Sequence, residues 1–97
     1  MLEKSIEEYL VQRIKCRGGE CVKIETSSER GWPDRLCILS GMIFFVETKR
    51  PKGGVLSKYQ NHIIEKINGL GVHAYVACTR EEVDLILNEL DKRVGGT

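Results

Sequence analysis

Apolar positions recur along this chain with two different periods, and the changes of period divide it into elements. Ile6, Leu10, Val11 and Ile14 fall at helical spacing, which predicts an amphipathic helix from residue 3 to about residue 16. Gly18-Gly19 closes it, as a glycine after a helix does. Cys21 to Ile24 reads as a short strand, and Thr26 to Trp32 as a polar loop. Asp34 to Leu39 and Met42 to Thr48 are the clearest strands. Both are rich in β-formers, and the two residues between them, Ser40-Gly41, have the signature of a tight hairpin turn. Pro51, Gly53 and Gly54 make residues 50 to 56 a loop. Ser57 and Gln60 stand at capping-box spacing and open a helix that runs to about Asn68 and stops at Gly69. Val72 to Cys78 is a fourth strand. Thr79 with Glu82 makes a second capping box, and Leu85, Ile86 and Leu90 stripe a final helix to about Arg93. The order is α-β-β-β-α-β-α, an α/β chain whose central hairpin belongs to a sheet covered by helices.

Composition narrows the class. A length of 97 residues suits one domain, with no internal repeat and no linker to divide it. Hydrophobic residues make up 41% and charged residues 30%, an ordinary globular mixture. No apolar run has membrane-spanning length and no signal peptide is visible, so the chain is expected to work in the compartment where it is made. Cys16, Cys21, Cys37 and Cys78 form no CxxC pair, and His62 and His73 lie away from them. A zinc site therefore lacks its ligand spacing. Free thiols, mostly buried, in a reducing compartment are the plainer expectation. Whole-chain charge, +1 from 15 basic and 14 acidic residues, does not announce nucleic acid. Local charge does: Lys49, Arg50, Lys52 and Lys58 follow one another with no acid between.

The chemistry concentrates where the second hairpin strand ends, at Met42-Ile43-Phe44-Phe45-Val46-Glu47-Thr48-Lys49. Alternation puts Glu47 and Lys49 on one face of the strand. A charge buried there without a partner would be costly. If Ser40 and Gly41 form the turn, Leu39 faces Met42 and Asp34 faces Glu47. Facing carboxylates have Cβ atoms roughly 4.5–5.5 Å apart and repel unless a proton or cation lies between them. A hard divalent ion with oxygen ligands, Mg2+ or Mn2+, meets that need. The inference depends on turn length, because a slip of one residue turns Asp34 to the other face. Pro33 delivers the chain to Asp34 in extended form. Lys49 could hold an attacking water and stabilise charge on phosphoryl oxygens, with cations of the following loop on a polyanionic backbone. Each feature also has a plainer use. An ExK strand end is often a solvated ion pair, Asp after Pro is often turn chemistry, Gln60 is a helix cap, and Glu3, Glu7 and Glu8 form a solvated helix face. Their convergence on one end of one hairpin is what favours chemistry.

The run Gly31-Trp32-Pro33-Asp34-Arg35, then Glu47-Thr48-Lys49, then Gly54-Val55-Leu56-Ser57-Lys58-Tyr59-Gln60 resembles the VRR-NUC domain, the virus-type replication-repair nuclease, a branch of the PD-(D/E)XK restriction-endonuclease-like superfamily. The likeness extends from the first helix to the last strand. It implies a restriction-endonuclease-like fold with a central mixed four-stranded sheet flanked by helices. It implies Asp34, Glu47 and the Thr48 backbone carbonyl as ligands of Mg2+ or Mn2+, Lys49 as catalytic lysine and Gln60 facing the site. It adds a first-helix glutamate, which either Glu3 or Glu7 could supply, being one turn apart on the same face. Arg30, Arg35, Arg50, Lys52 and Lys58 are the expected DNA contacts. The implied function is hydrolysis of phosphodiester bonds in structured or branched DNA, such as Holliday junctions, in replication, repair or recombination. A homodimer is implied, with a phage or bacterial replication or repair helicase as a candidate companion. The competing reading is a DNA- or partner-binding module that keeps the fold without cleaving.

Overall fold

The computed structural model describes residues 3–26, 28–51 and 53–95. Its elements follow the order α1 (Glu3–Cys16), β1 (Glu20–Lys23), β2 (Arg35–Leu39), β3 (Met42–Thr48), α2 (Lys58–Gly69), β4 (His73–Ala77) and α3 (Arg80–Gly95). The strands form one sheet in the order β1-β2-β3-β4. β1, β2 and β3 run antiparallel, and β4 lies parallel to β3. The parallel step requires a crossover, and α2 supplies it.

Helices cover both faces unequally. α1 and α3 pack on one face through Ile6, Leu10, Ile14, Val83, Leu87 and Leu90, against Cys37, Phe44, Val46 and Ala77 of the strands. α2 covers the β3–β4 part of the other face with Ile63 and Ile67, meeting Phe45, Ala74 and Trp32. Among the described residues no helix covers the part of that second face where Val22 of β1, Ile38 of β2 and Ile43 of β3 stay 49%, 42% and 55% exposed. Among the described residues no helix is long and apolar enough to cross a membrane.

The hairpin has the expected register, with Leu39 opposite Met42 and Arg35 opposite Val46. Ser40 and Gly41 take positive φ values of 53° and 78°. That pair of left-handed residues gives the turn whose twist matches the strands. Elements start and stop within two residues of expectation. The larger differences lie in the caps. Ser57 and Gln60 complete a full reciprocal box at the start of α2. At α3 only half the expected box forms: Thr79 Oγ1 accepts from the Glu82 amide, but Glu82 accepts from the Cys78 amide instead of that of Thr79.

Candidate metal and nuclease site

The ladder of β2 and β3 ends at Arg35–Val46, and the next pair in register is Asp34 and Glu47. Here backbone bonding gives way to side chains. The Asp34 amide donates to Glu47 Oε1 at 3.2 Å. Thr48 donates to Asp34 Oδ2 twice, from its amide at 3.3 Å and its hydroxyl at 3.0 Å. Each carboxylate is thus held by the backbone that carries the other.

Glu47 is 2% exposed, the most buried carboxylate among the described residues, on a central strand where the neighbouring Val46 and Thr48 are also buried. Gln60 Nε2 donates to Glu47 Oε2 at 3.1 Å, and Lys49 Nζ lies 3.4 Å from the same oxygen. Burial first, then the charge of Asp34, push the Glu47 carboxyl up from 4.5 to about 7, against the opposing pull of Lys49. The protein's own groups therefore leave the ionised form undercompensated. Gln60 serves two purposes with one amide: its Oε1 accepts from the Ser57 amide at 2.8 Å while Nε2 holds Glu47.

The approach of α2 to Asp34 depends on Gly31. It has φ +96°, and a Cβ there would lie 2.4 Å from the Tyr59 carbonyl oxygen and 2.9 Å from the Gln60 amide. Only a glycine lets this loop rest on the peptide that carries Gln60. Trp32 then packs on Phe45, with ring centroids 5.9 Å apart, and buried Pro33 leads into Asp34.

The first helix resolves an ambiguity of the sequence. Glu3, Asp34 and Glu47 each offer a carboxylate oxygen, and these oxygens all lie within 4.8 Å of one another. Glu7 turns elsewhere: it accepts from Arg35 Nε at 2.9 Å and lies 3.8 Å from Lys23 Nζ. The direction in which α1 crosses the sheet decides between two glutamates that helical spacing alone cannot separate. Three carboxylate oxygens so close form a hard, anionic donor set, and they fit a divalent ion such as Mg2+ or Mn2+.

The expected DNA-contacting cations divide into groups. Arg50 and Lys58 are exposed. Arg30 stacks over the Tyr59 ring, 5.6 Å from its centroid. Arg35 is paired with Glu7 and donates to the Cys21 carbonyl at 3.4 Å. Lys52 lies outside the described residues. The sequence reading passed over Lys4, which lines a pocket beside the carboxylates. It gave no role to Glu7 as the partner of Arg35 and Lys23. Charge alternation in the first helix was the available signal for Lys4, and a lone lysine among glutamates does not stand out.

A mixed four-stranded sheet between helices, with acids from two hairpin strands meeting at its open end, is the restriction-endonuclease-like arrangement. Comparison with known proteins agrees. The sequence is 36% identical over 86 residues to "Putative nuclease p44" of Acyrthosiphon pisum secondary endosymbiont phage 1, covering 88% of this chain and 90% of that protein. The structure superposes on a solved VRR_NUC domain with a TM-score of 0.83 and 28% identity, covering 89% of this chain and 94% of the other. No family model matches the sequence. The chain belongs to the VRR-NUC family of the PD-(D/E)XK superfamily.

Proposed function

We propose that this chain, acting as one domain, is an endonuclease that hydrolyses phosphodiester bonds in DNA with a divalent cation, Mg2+ or Mn2+. The observation that carries the reading is the meeting of Glu3, Asp34 and Glu47 within 4.8 Å, next to Lys49. These three acids, with the Thr48 carbonyl as a further candidate ligand, would hold the ion. When bound, it supplies Lewis-acid activation of water and of the phosphoryl oxygens. The chain's own residues do the rest. Thr48 fixes the Asp34 carboxylate, and Gln60 fixes Glu47. Lys49 offers an ammonium that can orient the attacking water and offset charge developing on phosphorus. Arg30, Arg50 and Lys58 would grip the backbone on either side.

Branched DNA, such as a Holliday junction met in replication, repair or recombination, is the proposed substrate. Cleavage of paired strands calls for two sites, hence a homodimer. The uncovered apolar strip of Val22, Ile38 and Ile43 supports association, since such a face is normally buried. The proposed setting is the cytoplasm of a bacterial or phage-infected cell, with a replication or repair helicase as a candidate companion.

The test is incubation with labelled single-stranded, duplex, flap and four-way DNA, with and without Mg2+ or Mn2+. Metal-dependent cleavage, strongest on the four-way junction and abolished in Glu47→Ala, is expected. Undiminished cleavage by Glu47→Ala refutes the assignment. A binding module without cleavage would show salt-sensitive DNA binding and no metal dependence. It would have no use for three crowded carboxylates beside a phosphate site.

A further inference from the structure

A pocket of about 420 Å³ opens beside the carboxylate cluster, with Glu3, Lys4, Lys49, Arg50, Gly54 and Val55 in its walls. We infer that it receives a single unstacked nucleotide flanking the scissile phosphodiester, with Lys4 and Arg50 on its phosphate and Val55 against its base. The inference rests on the nuclease reading above and names the substrate feature that the site would select.

Continuity is the first argument. Glu3 and Lys49 belong both to the reaction centre and to this pocket. A strand placed for cleavage must therefore run into the pocket or past its mouth.

Charge is the second. Lys4, Lys49 and Arg50 line the pocket with one carboxylate, Glu3, which is itself committed to the cation in the reading above, and Lys49 is shared with Glu47. Five cations elsewhere are paired: Arg35 and Lys23 with Glu7, Arg17 with Asp91, Lys66 with Glu29 and Arg93 with Glu89. Among the described residues, Lys4 and Arg50 make no ion pair. Lys4 also stands in the first turn of α1, where a cation opposes the helix dipole. Glu7 and Glu8, one turn on, can offset it within the helix, and an anion in the pocket would give the same ammonium a second partner.

Shape is the third. A Cβ at Gly54 would lie 2.3 Å from the Arg50 carbonyl oxygen and 3.1 Å from Lys49 Cβ, so this part of the wall can only be bare backbone. Val55 follows, 78% exposed, an apolar side chain at the rim of a polar pocket. A nucleobase offers the matching apolar face. The volume lies in the lower part of the roughly 300–1,000 Å³ that ligand pockets span, a size that suits one nucleotide. DNA with an unpaired or easily unpaired nucleotide beside the cut, as at a branch point, would enter most readily.

The test measures binding of thymidine 3′,5′-bisphosphate to the full chain by calorimetry, with Ca2+ in place of the catalytic ion. The wild type should bind. Lys4→Ala should weaken binding at least about tenfold, the size of one lost charge-assisted contact, and Lys4→Arg should restore most of it. Mn2+ binding without the bisphosphate should be the same in all three proteins, which separates loss of the pocket from collapse of the acidic cluster. Equal bisphosphate binding by wild type and Lys4→Ala, or none by the wild type, overturns the inference. If the wild type cleaves DNA while Lys4→Ala binds the bisphosphate normally, the nuclease reading stands and the pocket assignment falls. If binding depends on Lys4 but no DNA is cleaved, the reverse holds.

Discussion

The two ends of the β2–β3 hairpin share one register and are built on opposite principles. At the closed end, Ser40 and Gly41 turn the chain with their own backbone conformation, and the flanking Ile38 and Ile43 stay exposed. At the open end, Glu47 is buried with its charge undercompensated, and Asp34, Thr48, Gln60 and Lys49 are arranged around it. The closed end costs little to form and fixes the register. The open end uses that register to force acids together, a choice that folding alone would not favour. Rigidity at one end is what makes crowding at the other possible.

The contrast predicts that substitutions at the open end change activity far more than those at the closed end. Glu47→Gln should lower cleavage on the order of a thousandfold or more, since in the proposed mechanism it removes a metal ligand worth several kcal/mol to the transition state. The same substitution should raise the melting temperature of the metal-free protein at pH 8, because it removes a buried carboxylate that must be ionised there. Parallel cleavage and melting assays check both directions. Gly31→Ala comes next. Its Cβ would collide with the Tyr59–Gln60 peptide, so the loop bearing Asp34 must move away from α2. A displacement near 1 Å can cost about a hundredfold in rate. Single-turnover cleavage, with circular dichroism to confirm folding, measures it.

The acid–base behaviour of the open end gives the third effect. Glu47 holds its proton up to about pH 7 in the folded chain, against an ordinary 4.5. Between those values the folded state binds more protons than the unfolded state, so stability must fall as pH rises through that window. The loss from this group is complete above about 7 and amounts to about 3 kcal/mol in the metal-free protein. A divalent ion prefers the ionised carboxylate, so Mg2+ or Mn2+ should flatten the fall and bind more weakly below pH 7. Urea unfolding from pH 5 to 8, with and without the ion, reads both trends. The smallest effect belongs to the closed end. Ser40→Asn should stabilise by about 0.5 kcal/mol, because asparagine tolerates the left-handed region better than serine, and cleavage should not change.

Much of this contrast was legible in the sequence, and the boundary of legibility has a physical cause. Ser40-Gly41 between two apolar runs set the turn, and the strand period then placed Asp34 opposite Glu47. Both are local facts. The capping box at Ser57 and Gln60 was equally local, although the use of its second nitrogen on Glu47 was not. What lay beyond reach depended on how elements cross. Glu3 and Glu7 share a helix face, and only the path of α1 over the sheet sends one to the carboxylates and the other to Arg35. Gly31 stands in the motif that carries the resemblance, but its contact with the Tyr59–Gln60 peptide depends on where α2 packs. Lys4 gained meaning only when the turn at Gly54 closed a pocket beside it.

Mn2+ binding at pH 7.5, followed by calorimetry on the wild type, Glu47→Gln, Asp34→Asn, Glu3→Gln and Glu7→Gln, tests the shared ion most directly. Binding by the wild type and Glu7→Gln, lost or strongly weakened in the other three, is the result this geometry requires. Equal binding by all five proteins, or loss in Glu7→Gln with retention in Glu3→Gln, would contradict it.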